Sequence, residues 1–415
     1  MYKKLLKIFI SLIVFYVIAL SAVYLVTPTP LERHAQNGLA LIKKESNYPK
    51  YFFNNNVASQ LDNFTDRVML ERVLPKNIDD NALEQAMFMN GYSRYWHGYQ
   101  VILRPLLLPF NYFEIRYINI FIMFALLIKA MNVIKKNVNS IASWLFFAAV
   151  MCAKFIIVPV SLQFTNMMML MLLAILAADK LLCNRNDLNF NNKTLSTERL
   201  FIFSFVLGSI TVFLDLLTTP ILPIGIVMLL LVIHYYQKYN YLIPNKTIIN
   251  SFIFWSAGYV GTWAAKWILA TVICSQNIIL QAFNQIIHRT NGNLDGSSHA
   301  VNRLSMLSSN IKMLLQPFGH TSKIIIVSLV VIICIILLYK FRKTIIDRIF
   351  VKKLILISLI PYFWYIIAAN HSQVHSWFTY RSQIITVFGL GYTMYYVTDW
   401  QKVKSSMKGK FKCLK

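Results

Sequence analysis

Residues Leu6 to Val26 read LKIFISLIVFYVIALSAVYLV, an almost unbroken apolar run holding one charge, Lys7, with Lys3 and Lys4 just ahead of it. A helix needs roughly 20 mainly apolar residues to cross a bilayer, because the hydrocarbon offers its backbone no hydrogen-bond partners. The run exceeds the apolar stretch of about 7 to 15 residues in a signal peptide. It predicts a retained anchor with its N-terminus in the cytoplasm.

The same pattern recurs along the chain. Apolar runs fall at about Tyr117 to Ile134, Ile141 to Val158, Phe164 to Leu182, Leu200 to Leu217, Ile221 to Tyr236, Ile249 to Cys274, Lys323 to Tyr339, Leu354 to Ala369 and Ile384 to Val397. Pro159, Pro220 and Pro223 stand where one run stops and the next starts, the positions at which proline is tolerated. The expected fold is therefore an all-α polytopic membrane protein with about ten transmembrane helices.

Composition agrees with a lipid solvent. Hydrophobic residues make up 57% of the 415 positions and charged ones 14%, with a mean hydropathy of +0.53, above a soluble domain's usual share. The 13 Gly, 12 Pro and 5 Cys are too few for collagen-like repeats, disorder or a disulfide scaffold. The cysteines, Cys152, Cys183, Cys274, Cys334 and Cys413, are scattered and form no CxxC pair. The 41 Lys+Arg against 16 Asp+Glu give a formal net charge of +25, and most of that excess sorts to one side. With the N-terminus inside, Lys135 and Lys136, the Asn184 to Arg199 segment, Lys238 and Lys246, the cluster from Arg342 to Lys353 and the tail all fall in cytoplasmic loops, as the positive-inside rule requires. An even number of spans with both termini cytoplasmic follows. The basic excess then orients the protein and meets anionic lipid, and no nucleic acid need be invoked.

Residues 1–415 read as a single integral-membrane domain. Residues 27–116 form a first extracytoplasmic loop, in which Asn81 to Asn90 and Val101 to Phe110 are helical patterns too short to cross and suited to lying at the interface. Residues 275–320 form a second long extracytoplasmic loop, with an interfacial helix expected at Asn277 to His288 and a Gly/Asn/Ser turn at Asn291 to Ser298. Residues 401–415 form a basic cytoplasmic tail.

Ionisable groups near a bilayer are costly and are commonly kept for a task, and five places qualify. Asp62 and Asp66, four residues apart, would share a helical face as a general base with an orienting partner or metal ligand; equally, Asp66 would cap a helix starting at Arg67. In Gly91-Tyr92-Ser93-Arg94-Tyr95-Trp96-His97-Gly98-Tyr99, followed by Arg104-Pro105, the rings suit either an interfacial belt or stacking on a sugar, with the cations facing phosphate. Asp215 stands at the outer end of its run as a cap or a functional acid. Lys266, between Trp263 and Trp267, either snorkels to the interface or holds an anionic head group. His371 and His375, spaced to bind a metal if helical, have no acidic third ligand near them in sequence. They read better with Arg381 as phosphate ligands.

An N-terminal span, a long outer loop with an acidic pair, and many further spans with cations near the outer surface resemble the GT-C superfamily of integral-membrane glycosyltransferases. The strings Asp62-Asn63-Phe64-Thr65-Asp66, Tyr95-Trp96-His97-Gly98-Tyr99, Trp263-Ala264-Ala265-Lys266-Trp267 and His375-Ser376-Trp377-Phe378-Thr379-Tyr380-Arg381 carry the likeness. The chain differs in that Asp62 lies about 35 residues beyond the first span and no large soluble domain follows the last. The resemblance implies a bacterial plasma-membrane enzyme that moves a sugar from a polyprenyl-phosphate donor to a cell-surface glycan acceptor, with inversion. It implies Asp62 or Asp66 as base, Lys266, Arg381, His375 and Arg104 around the donor phosphate, and Tyr95, Trp96, His97, Asp215 and His371 around sugar and acceptor. No cofactor is fixed, and a divalent metal stays open. A polysaccharide polymerase or ligase of the O-antigen or capsule type is the nearest rival, and a lipid-linked glycan transporter or flippase a further one, although no inverted repeat of the kind common in transporters is visible.

Overall fold

A computed structural model describes residues 1–25, 28–51, 56–74, 81–183, 196–291, 301–316 and 320–412. Among these residues there is no strand, only isolated antiparallel bridges between Lys50 and Gln60 and between Arg342 and Thr398. In chain order the helices are α1 (Tyr2–Tyr24), then α2 (Thr29–Glu45), α3 (Asn63–Glu71), α4 (Ala82–Phe88) and α5 (Gln100–Leu106) within the first loop. Next come α6 (Tyr112–Asn137), α7 (Ser140–Cys152), α8 (Leu162–Ala178), α9 (Thr197–Leu214), α10 (Leu222–Tyr239) and α11 (Asn245–Ile273). The second loop carries α12 (Ile278–Asn291) and α13 (Arg303–Leu314). The chain continues with α14 (His320–Lys340), α15 (Arg348–Ser358), α16 (Ile360–Ile367), α17 (Ala369–Val374), α18 (Ser376–Thr379), α19 (Ile384–Val397) and α20 (Trp400–Lys412).

Seven segments are long and apolar enough to cross a membrane: α1, α6, α8 extended to Leu181, α9, α10, Ser322–Lys340 of α14, and Arg348–Ile367, which joins α15 to α16. The chain is thus a helical membrane protein. The other three expected runs differ in form. α7 has 13 residues and stops before Lys154, whose φ of 56° is left-handed; a 3-10 turn, Phe155–Val160, carries the chain on through Pro159. α11 has 29 residues, but Ser256, Gly258, Tyr259, Gly261, Thr262 and Lys266 dilute its apolarity. α19 has 14 residues, because the segment ahead of it is broken into the short turns that hold Arg381.

The first loop is more helical than its pattern suggests. The interfacial helices expected at Asn81 to Asn90 and Val101 to Phe110 correspond to α4 and α5, while α2 was not expected, although it buries Leu31, Ala35, Gly38 and Ile42 along one face. α3 also starts earlier than expected. It begins at Asn63, with Asp62 as the cap, and Asp66 lies inside it. In the second loop α12 covers the helix expected at Asn277 to His288, whereas the turn at Asn291 to Ser298 lies outside the described residues beyond Asn291 itself, as do most of the Asn184 to Arg199 segment and residues 413–415.

Close packing sets the bundle. α9 and α11 cross at two glycines: a Cβ on Gly208 would fall on the Trp255 carbonyl, and one on Gly258 on the Phe205 carbonyl. Small residues let backbones approach this way where lipid supplies no hydrophobic drive between helices. Beside the crossing the Thr262 hydroxyl donates to Ser209 Oγ at 2.8 Å, and Tyr16 Oη of α1 pairs with the same oxygen at 3.1 Å. Polar pairs then mark the two ends of the bundle. At one, Lys4 meets Glu198 at 3.8 Å and Lys136 meets Asp179 at 3.6 Å. There too the Tyr236 and Tyr396 hydroxyls pair at 2.9 Å, so the basic loops gather together. Asp62, Asp66, Asp215 and Arg381 lie at the opposite ends of the same helices.

Candidate functional site

The two expected carboxylates have different surroundings. Asp66 is fully buried and accepts four hydrogen bonds: from Tyr112 Oη at 2.6 Å, the Leu162 N–H at 2.9 Å, and the Gln163 N–H and Ser161 hydroxyl at 3.1 Å each. It therefore closes the N-terminus of α8, where unpaired N–H groups and the helix dipole favour an anion. Burial pushes its carboxyl up, while Tyr112, the α8 amides and Arg116 oppose that push. The brace continues: Arg116 donates to Tyr112 Oη at 3.0 Å and grips Glu45 of α2 through both terminal nitrogens at 2.7 and 2.8 Å. Asp66 is thus a structural acid joining α3, α6 and α8, not the free base that its residue type allows.

Asp62 is 3% exposed, and its recorded partners belong to its own helix: it accepts from the Thr65 N–H at 3.0 Å and the Thr65 hydroxyl at 2.8 Å. Each oxygen keeps a lone pair. Burial raises its carboxyl to about 7, Thr65 pulls against that, Asp66 adds to it and the Arg381 charge lowers it. A carboxyl poised there is what a general base near neutral pH requires.

Arg381 supplies the opposing charge. The 3-10 turn Tyr380–Gln383 carries it to the start of α19. Its guanidinium lies over the Phe164 ring at 4.2 Å. It donates only long bonds, to the Trp377 carbonyl at 3.3 Å and the Ala58 carbonyl at 3.5 Å. Its Nε has no partner among the described residues. Buried donors left so poorly met are costly, and an anion would satisfy them. Tyr380 Oη also donates to the Ala58 carbonyl at 3.0 Å, so the first loop and the segment before α19 meet here. Above Asp62, Tyr48 stacks on Phe64 at 6.4 Å and meets Trp377 edge-on at 5.5 Å. Its phenol is raised first by burial and then by the Asp62 charge.

Next to Trp377 lies a second cationic group. Arg289, at the end of α12, donates to His371 Nδ1 at 2.9 Å and reaches His375 Nε2 at 3.5 Å. His371 Nε2 faces the Leu217 carbonyl at 2.8 Å; it must donate there, leaving Nδ1 to accept from the arginine. Burial drives both imidazoles down, His375 to about 4, with Arg289 adding to the effect. They enter as neutral rings, so the expected histidine cations are replaced by Arg289. No three His, Cys, Asp or Glu converge as a metal would require among the described residues, and the histidine lone pairs are turned to a guanidinium. A cavity of about 600 Å³ empty volume opens beside Arg289, walled by Tyr95, Trp263, Trp267 and Trp364. Asp215 borders this region as a cap: Oδ1 accepts from the Thr218 N–H at 2.8 Å, and Oδ2 has no partner among the described residues. Burial raises its carboxyl to about 7.

Several expected site residues lie elsewhere. Lys266 is fully buried and donates to the Met87 carbonyl at 3.0 Å and the Ala86 carbonyl at 3.3 Å, holding the C-terminal turn of α4 where a cation suits the dipole. Arg104 donates to the Val23 carbonyl at 2.6 Å and to the Val73 carbonyl, and covers the Tyr24 ring. Trp96 is fully buried, with its N–H on the Thr262 carbonyl at 2.8 Å. His97 has a left-handed φ of 55°; it bonds the Tyr92 carbonyl at 2.9 Å and Tyr99 Oη at 2.8 Å. These four are spent on structure, and of the aromatic string Tyr95 reaches the cavity. Tyr48 and Arg289 were not anticipated: Tyr48 lies in a short aromatic stretch with Tyr51, Phe52 and Phe53 and is not set apart from them in sequence, and Arg289 follows the helical pattern ending at His288.

No family model matches the chain, and no match is found among curated proteins or among solved structures.

Proposed function

We propose that the chain is a membrane glycosyltransferase of the GT-C kind, crossing the bacterial plasma membrane ten times with both termini cytoplasmic. In this reading it moves a sugar from a polyprenyl-phosphate donor to a glycan acceptor at the outer face. The observation that carries the proposal is that Asp62, a buried carboxyl with free lone pairs, follows four residues after Ala58, whose carbonyl takes a long bond from Arg381, a buried guanidinium with unmet donors, while Tyr48 packs against Phe64 and Trp377. The donor phosphate takes the Arg381 N–H groups, and Arg289 adds a second cation. The rings of Tyr48 and Trp377 face the sugar. Asp62 removes the proton from an acceptor hydroxyl, whose oxygen attacks the anomeric carbon from the side opposite the phosphate. The C–O bond breaks, its electron pair leaves on the phosphate, and Arg381 stabilises that charge as it grows. Configuration inverts. Lys266 and Arg104 have no part in this step, because their donors already sit on backbone carbonyls.

Transfer of labelled sugar from polyprenyl phosphate by the full chain in vesicles tests the reading. Asp62→Asn should abolish transfer while the folded yield stays at the wild-type level, and full activity in that variant refutes the assignment. The presence of two cations, Arg381 and Arg289, on either side of the Trp377 segment favours, as the second reading, a polymerase or ligase that handles a lipid-pyrophosphate donor. Such an enzyme should keep activity in Asp62→Asn and lose it in Arg381→Gln.

A further inference from the structure

At the basic end of the bundle, far from Asp62, a crevice lies between the end of α14, the outer side of α15 and the last residue of α19. Its empty volume, open space included, is about 940 Å³. Arg342, Arg348 and Lys352 stand at it, all exposed, and none has a recorded side-chain hydrogen bond or ion pair among the described residues. The nearest acids do not neutralise them. Asp347 spends an oxygen on the Ile349 and Phe350 N–H groups, both at 2.9 Å, as the cap of α15, and Asp399 pairs with Lys402 at 3.5 Å. Leu338, Val351, Ile355 and Leu356 make the walls apolar.

The backbone that carries Arg342 is fixed. The Lys343 N–H donates to the Val397 carbonyl at 3.0 Å and the Asp399 N–H to the Phe341 carbonyl at 2.6 Å, while Arg342 bridges to Thr398. These bonds pin the turn after α14 to the end of α19. On the open side, nothing in the apolar window of α14 is buried within the protein, so the crevice continues into lipid. Three cations over an apolar slot that opens sideways into the bilayer match one occupant by charge and polarity: a phosphodiester in the headgroup layer with acyl chains below it. Basic pockets between spanning helices on the cytoplasmic side bind lipids of this kind, and guanidinium groups suit phosphate oxygens through paired N–H bonds.

We propose that this crevice is a binding site for an anionic phospholipid of the cytoplasmic leaflet, with Arg342, Arg348 and Lys352 on the phosphate and the α14 and α15 side chains along the acyl chains. The site does not depend on the transfer reaction. It rests on the orientation that puts the basic loops inside.

The test uses the purified full chain in detergent, titrated with phosphatidylglycerol, cardiolipin or phosphatidylcholine, with bound lipid read by native mass spectrometry and stability by thermal unfolding. Phosphatidylglycerol and cardiolipin should be retained and should raise the unfolding temperature; phosphatidylcholine should do neither. In the triple variant Arg342→Gln, Arg348→Gln, Lys352→Gln the apparent affinity for the anionic lipids should fall at least tenfold. A control with Lys3→Gln, Lys7→Gln and Lys246→Gln, exposed at the same end, should keep it. Equal retention of phosphatidylcholine by the wild type overturns the proposal whatever the variants do. So does an equal loss in the control, which would mean diffuse surface charge, and so does full stabilisation by inorganic phosphate alone, which would mean a soluble anion.

Discussion

Replacing Asp66 by Asn should unfold this protein more easily, whereas the same change at Asp62 should not. Asp66 accepts four hydrogen bonds from Tyr112, Ser161 and the first two amides of α8. Asparagine keeps one of the two oxygens and turns the other into an amine that faces two of those donors. One of the two is a hydroxyl, Ser161 or Tyr112, that can rotate to accept, but the other is an α8 N–H that cannot, so one bond to a buried carboxylate is lost, at about 1.5–3 kcal/mol. At Asp62 the cap survives, because Asn and Asp serve almost equally well there, and the Thr65 hydroxyl can rotate to accept from the new amine; the change should stay below about 1 kcal/mol. At about 2 °C per kcal/mol, the value suited to long chains, Asp66→Asn should lower the unfolding temperature by roughly 3–6 °C and Asp62→Asn by no more than about 2 °C. Tryptophan fluorescence of the purified full chain, heated in one detergent, reads both. Equal shifts in the two variants, or an Asp66→Asn protein as stable as wild type, would refute the division between a structural and a reactive acid.

The remaining predictions concern pH, packing and the buried lysine. With the Asp62 carboxyl raised by burial to about 7 and active only when ionised, transfer should rise as pH climbs through 7 and then level off; a rate already flat below pH 6 contradicts this. The sign for stability is opposite: a folded pKa above the unfolded value makes ionisation destabilising as pH rises through 7, so the wild type should lose more stability than Asp62→Asn between pH 6 and 8. Gly208→Leu places a side chain on the Trp255 carbonyl, and overpacking costs typically about 1–3 kcal/mol or more; the monodisperse fraction after detergent extraction should fall sharply, with Gly208→Ala intermediate. Lys266→Met leaves the Ala86 and Met87 carbonyls unmet, so stability should fall by about 1–3 kcal/mol while the KM for donor in the folded fraction stays unchanged. A tenfold rise in that KM would return Lys266 to the phosphate site.

The candidate site was only partly legible in sequence, and the failures share a cause. Asp62 and Asp66 have the same chemistry and sit four residues apart; what separates them is that α3 begins at Asn63 and not at Arg67, which turns Asp66 toward the N-terminus of α8, nearly a hundred residues away. Lys266 and Arg104 looked free because their partners are backbone carbonyls, which carry no mark in sequence. Arg289 was passed over because His371 and His375 lie more than eighty residues further on.

By itself the sequence determined the solvent and the order of the chain: apolar runs long enough for lipid, a polar first loop holding most of the acids, and basic clusters sorted to one side. These are local properties, set by how much apolar surface a stretch of about 20 residues presents. The tertiary structure decided which polar groups are spent on one another and which are left over. Pairing depends on contacts between residues far apart in the chain, and only there do Asp62 and Arg381 separate from the acids and cations that merely hold the bundle together.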